Sequence, residues 1–191
     1  MSDHGFHVHG PHDHELEHAA QHNPEGMAGK LAVITAILAT VGALFSYMGG
    51  ATQANAGLYK NNAAIKKTEA SNKWNYYQAK SGKQNLAELA LALVPEDRKA
   101  TYQAEIERYK GEKAEIKKEA EALEEAATEW DHQSDEQMHQ HHRWAQATTA
   151  LQISIAMAAI ALLTKRRWMA WGTVGIGGVG IVVGVLAWFH V

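Results

Sequence analysis

The side chains best suited to chemistry in this 191-residue chain are histidines and carboxylates. Asp131, Asp135 and His139 follow one another at four-residue steps, His142 comes three later, and Glu136 stands three before His139. On a helix such spacings put the groups on one face, where a carboxylate and an imidazole can share a divalent metal. Asp135, His139 and His142 could supply two or three ligands, and a second helix or a second copy of the chain would have to close the site. A further set stands among the first residues, where His14, His18 and His22 recur at four-residue steps after His4, His7, His9 and His12. Imidazole suits zinc, copper or nickel, so these are the ions to expect if either set binds metal. Plainer readings compete with both: a His-rich solvating tail whose spacing is degenerate, and a solvated juxtamembrane face meeting lipid headgroups. The plainer readings are favoured.

Other chemistry is poorly represented. The chain has no cysteine, which removes thiolate nucleophiles, thiolate metal ligands and disulfides. The run GIGGVG at 175–180 lies inside an apolar stretch with no acidic residue following, unlike a nucleotide loop. With no nucleophile paired to a base and no cofactor motif, neither an enzyme nor a bound cofactor is expected. A net charge of −3 gives no reason to expect nucleic acid. Association is better supported. Trp74, Tyr76 and Tyr77 form an aromatic triplet in a polar region, suited to packing between helices or copies, or to docking a partner protein. Gly180 and Gly184, four residues apart, make a flat face on which apolar helices approach closely, and Gly42, Ser46 and Gly50 repeat the spacing.

Helices must position all of these groups. Tyr102, Ile106, Tyr109, Ile116, Ala120, Leu123, Ala127, Trp130 and Trp144 lie on one ladder of three- and four-residue steps, and Leu151, Ile155, Ala158 and Leu162 extend it. That is the seam of a coiled coil. The extension runs through 145–164, which lacks any ionisable side chain, so the same helix is expected to enter a bilayer. Mean hydropathy over the whole chain is only −0.32, because it averages a polar middle with three apolar segments. Those segments, 29–50, 145–164 and 168–189, each provide the roughly 20 apolar residues that a membrane span needs. The first is read as a retained span and not a cleaved signal peptide, since the residues before Lys30 are acidic and His-rich. The third is expected to stop the C-terminus at the membrane surface. Trp144, Trp168, Trp171 and Trp188 fall near span ends and are expected there as interfacial anchors.

Residues 1–28 read as a disordered His- and acid-rich tail. Residues 51–144 read as an extramembrane helical hairpin with its turn at 94–97, because Pro95 disfavours a helical Val94 while Glu96 and Asp97 favour a new helix start. On the outgoing arm, Leu58, Ile65, Tyr76, Ala79, Leu86, Ala90 and Leu93 form a second ladder, interrupted by Asn62, Glu69, Asn72 and Lys83. At 1.5 Å per residue such an arm would be on the order of 60 to 70 Å long. Lys165, Arg166 and Arg167 between the last two spans are expected to stay cytoplasmic, which places the tail inside the cell and the arm outside. Residues 31–50, 145–164 and 168–189 carry no charge, which speaks against an ion pathway built by one copy.

The run TEASNKWNYYQAKSGKQNL at 68–86, with RYKGEKAEIKKEAEALE at 108–124 and HHRWAQATTALQISIAMAAIALLTKRRWMAW at 141–171, resembles the bacterial family described as domain of unknown function 4337. The pattern W-x-Y-Y-Q-A-K at Trp74 to Lys80 and L-T-x-R-R-W at Leu163 to Trp168 are the specific parts, and the resemblance extends from about residue 25 onward. It implies a bacterial membrane protein with a helical extramembrane region, and brings no activity, cofactor or catalytic residue to carry over.

The expected protein is therefore all-α, an integral membrane protein with three transmembrane helices and a long antiparallel hairpin between the first and second. The expected role is a homo-oligomeric, non-enzymatic scaffold or assembly protein of the bacterial inner membrane, its arm binding itself or a partner protein complex. The alternative is a metal- or pH-responsive membrane sensor, or a channel-like oligomer, using the His-rich tail and the Asp/His cluster.

Overall fold

The structure is a computed structural model and describes residues 26–189. Among these residues there are three α-helices and no strand: α1 (Met27–Leu93), α2 (Glu96–Thr164) and α3 (Arg167–Trp188). α1 runs through Gly49, Gly50 and Gly57 without a break. A glycine costs about 1 kcal/mol in a helix, which long flanking segments can offset. The break comes at Val94 and Pro95, where the Arg98 amide donates to the Pro95 carbonyl and Glu96 and Asp97 occupy the first turn of α2. α2 ends in a tighter turn. Lys165 takes a left-handed φ of 51°, and Arg166 is extended before α3 begins.

The contacts divide the chain into two compact units, one of residues 26–53 with 138–189 and one of 54–137. In the first, the beginning of α1, the end of α2 and all of α3 pack together. Leu31, Ala158 and Ala161 are buried at one end with Met27, Leu162, Met169 and Ala170 against them. Further along, small residues let large ones in. A methyl group on Gly177 would press on Leu38 and Ser154, and one on Gly180 on Leu151. Each helix contains a window long and apolar enough to cross a membrane.

The second unit is an antiparallel hairpin. Lys60 pairs with Asp131 at 2.7 Å, and Lys73 with Glu119 and Lys80 with Glu112 follow in reverse order along α2. The ladder expected on α2 is the seam: Ile106, Ile116, Ala120 and Ala127 are buried, while Tyr102, Tyr109, Leu123 and Trp130 are half-buried.

The ladder expected on α1 is not. Leu58, Ile65, Tyr76, Ala79, Leu86 and Leu93 face outward, and the inner seam is Ala56, Ala63, Ala70, Tyr77 and Gln84 at strict seven-residue steps, with Tyr59, Lys66, Lys73, Lys80 and Ala87 three positions on. The reason is steric. α2 brings the bulk, in Ile106, Ile116 and Trp130, and alanines on α1 leave room for it at close helix spacing. The lysine stems cover the edges of this seam while their ammonium groups reach acidic partners.

Candidate functional site

Two places hold the side chains from which a function could be built. The first is the middle of the hairpin. The indole nitrogen of Trp74 donates to Glu124 Oε1 at 2.8 Å, and the Trp74 and Tyr77 rings meet edge-on at 5.6 Å. Cations sit over the neighbouring rings: Lys113 over Tyr77 at 5.0 Å, Lys80 over Tyr76 at 5.1 Å, and Arg108 over Tyr109 at 4.8 Å. Such contacts are worth about 0.5–1 kcal/mol each where exposed. Lys113 also donates to Gln84 Oε1 at 3.1 Å.

Lys80 and Glu112 form the most enclosed ion pair of the hairpin, their side chains 15% and 34% exposed. The Lys80 ammonium, bonded to Glu112, holds that carboxyl below the ordinary glutamate range, with the charges of Arg108 and Lys83 adding to the effect. In return Glu112, helped by the Tyr76 hydroxyl, holds the lysine above its ordinary range. Beside this belt an open groove of about 800 Å³ runs over Ala63, Ala70 and Ala127, edged by Lys60, Trp74 and Asp131. Here the small residues of α1 leave the helices incompletely filled.

The second place is in the other unit. The Trp144 ring is buried between Phe45, at 5.2 Å, and Trp188, at 6.5 Å. One turn before it, His141 Nδ1 lies 2.8 Å from the Gly49 carbonyl oxygen, and Gln140 donates to the Ala187 carbonyl at 3.2 Å. Deeper in the bundle, Ser154 donates to the Thr173 carbonyl at 2.6 Å, and Thr173 donates to Met169. His141, Gln140 and Ser154 thus tie helices together, whereas Thr173 bonds within α3, and the Trp144 indole nitrogen and Thr148 hydroxyl are buried without a hydrogen-bond partner among the described residues.

The expected site residues are distributed unevenly over these places. Trp74 and Tyr77 are half-buried in the hairpin belt, and Tyr76 stands at its edge, half exposed. Gly180 and Gly184 are buried within the chain, against Leu151 and Phe45, so that face is filled by the chain's own α1 and α2. By contrast, Ser46 and Gly50 remain exposed. Trp144, expected as an interfacial anchor, is instead a core residue, because it continues the α2 ladder that points inward. Trp168, Trp171 and Trp188 are exposed.

Asp135, His139 and His142 are each exposed. Asp131 is committed to Lys60, and His132 Nδ1 lies 3.3 Å from Glu136. Among the described residues no three His, Cys, Asp or Glu side chains gather as a set able to hold a metal ion. His14, His18 and His22 lie outside the described residues.

Sequence reasoning missed His141, Ser154 and the Lys80–Glu112 pair. His141 was within reach, since it stands three residues before Trp144 on the inward ladder. Ser154 was also within reach, three residues after Leu151 on the same face. The ion pair needed the rotation of α1, which its sequence leaves open between two stripes.

No curated protein and no solved structure matches the chain. The family profile described as domain of unknown function (DUF4337) does match, over residues 27–190, which takes in all three helices and both units. The chain belongs to that family.

Proposed function

We propose that this chain is a multi-pass protein of a bacterial inner membrane that acts as a non-enzymatic, homo-oligomeric scaffold. The observation that carries the reading is the outward surface of the apolar windows. Only 22%, 28% and 22% of them is buried inside the chain, so most of their apolar surface needs lipid or another chain to cover it. Val33, Ile37, Leu44, Ile153, Val179 and Leu186 face outward, while Ser154 and Thr173 point in, the reverse of a water-facing bundle. The hairpin, in turn, joins its two helices through Lys60–Asp131, Lys73–Glu119, Lys80–Glu112 and Trp74–Glu124, as a spacer or docking arm would. Lys165, Arg166 and Arg167 support a cytoplasmic α2–α3 turn, which puts the hairpin on the opposite side of the membrane.

The chain's lack of cysteine makes the test direct. A Glu121→Cys variant, whose substitution lies on the outward face of the hairpin, is expected to resist alkaline extraction from membranes and to react with an impermeant maleimide in intact cells. Its mass after gentle solubilisation should exceed that of one chain. Alkaline release would overturn the membrane reading, labelling only after lysis would invert the topology, and a monomeric mass would remove the scaffold.

A further inference from the structure

We propose that the outward stripe of α1, Leu58, Ile65, Asn72, Ala79, Leu86 and Leu93, is the seam of a parallel, in-register coiled coil with α1 of a second copy of this chain. The inference rests on the membrane-scaffold reading, because two copies inserted the same way in one bilayer carry α1 in the same direction.

These six residues recur at strict seven-residue steps, two positions beyond the inner seam and so about 200° around the helix from it. Leu58, Ile65, Leu86 and Leu93, with Leu89 and Tyr76 beside them, are between 47% and 76% exposed. A seven-residue repeat stays aligned only along a supercoiled partner. The stripe is also narrow. A helix lying on lipid needs an apolar arc of 100° or more, whereas here Asn61, Thr68, Asn75, Glu69 and Lys83 flank a single line that is apolar except at Asn72. That width fits a helical partner and not a lipid surface.

Three features choose a second copy. Asn72 sits in the middle of the line, and an asparagine in such a seam position pairs with its own counterpart in a parallel coiled coil, setting register and copy number at some cost in stability. The flanking positions that meet across a parallel, in-register seam are Ala64 with Glu69, Ser71 with Tyr76, Gln78 with Lys83 and Asn85 with Ala90, so no like charges oppose. Finally, α2 offers no rival face, since it turns Glu107, Arg108, Lys117, Lys118, Glu121 and Glu125 outward. The seam is uneven. Around 79–93 it is Ala79, Gly82, Leu86, Leu89 and Leu93, and Gly82 has open space above it that permits close approach. Toward Leu58 the alternate positions are polar, so the coil is tightest near the hairpin turn.

The experiment uses the full chain in its own membranes, with single cysteines at Leu89→Cys, Ile65→Cys and, on the outer face of α2, Glu121→Cys. Oxidation should join Leu89→Cys to itself fastest, Ile65→Cys more slowly and Glu121→Cys not at all. Adding Leu86→Glu and Leu93→Glu should cut the Ile65→Cys cross-link at least tenfold while helix content stays unchanged, because both side chains face outward. If neither seam cysteine cross-links while the solubilised mass remains that of an oligomer, the α1 seam is wrong and the scaffold reading stands. If no cross-link forms and the mass is that of one chain, both fall.

Discussion

Gly184 lies so close to Phe45 that a methyl group on its α-carbon would overlap the phenyl ring. α3 approaches α1 this closely because position 184 has no side chain, and the Phe45 ring that it faces lies 5.2 Å from the buried Trp144. Gly184→Ala should destabilise the bundle by about 1–3 kcal/mol, the usual range for overpacking. Pairing it with Phe45→Leu should recover part of that loss, as contacting sites are non-additive. Denaturant unfolding in detergent, followed by tryptophan fluorescence, measures both.

Ser154 joins α2 to the backbone of α3 through its 2.6 Å bond to the Thr173 carbonyl. Ser154→Ala removes one bond without crowding the neighbouring Gly177, and the expected cost is about 1 kcal/mol, as for other hydrogen bonds between apolar helices. Gly177→Ala in the same assay should cost more, since its new methyl group would press on Leu38 from 3.0 Å.

The Lys80–Glu112 pair makes the hairpin sensitive to acid. Because the folded state holds the Glu112 carboxyl below its ordinary range, the pair's contribution is complete above about pH 4.3, where the unfolded chain ionises, and is lost as pH falls through the lowered value. Lys80, raised in the folded state, contributes fully below about pH 10.4 and loses its contribution as pH rises through the raised value. The stability difference between the natural chain and Glu112→Gln should thus be largest near neutrality and shrink at both extremes. Urea unfolding monitored by circular dichroism across that pH range checks it.

Lys165 holds a left-handed backbone at the end of α2, a conformation that costs a residue with a side chain about 1 kcal/mol relative to glycine. Lys165→Gly should stabilise the turn by that amount. It should leave the topology unchanged, since Arg166 and Arg167 remain; maleimide labelling of Glu121→Cys in the same background provides the check.

The helices and their turn were legible because the signals were local. Pro95 with Glu96 and Asp97 marks the break by itself, and the α2 ladder from Tyr102 to Leu162 is dense enough to read in one register. What could not be read locally was rotation and partner. α1 carries two seven-residue stripes, one of leucine and isoleucine and one of alanine, and hydrophobicity alone selects the wrong one as the inner seam. Likewise Gly180 and Gly184 announce a close helix contact without saying whether the helix that arrives belongs to the same chain. The structure answers with Leu151 and Phe45 of the same chain.

The two stripes on α1 also bear on how the hairpin finds its fold. A helix with apolar lines on opposite sides can dock in two orientations about 200° apart, and hydrophobicity alone would favour the wrong one. The more exposed lysine pairs of the inner edge, Lys60–Asp131 and Lys73–Glu119, each add little to stability. Their effect is discrimination: turning α1 over would carry Lys73 away from Glu119 and Lys80 away from Glu112 together, leaving those acids opposite Asn75 and Gly82. Charge on this hairpin serves less to bind its helices than to tell one face of α1 from the other.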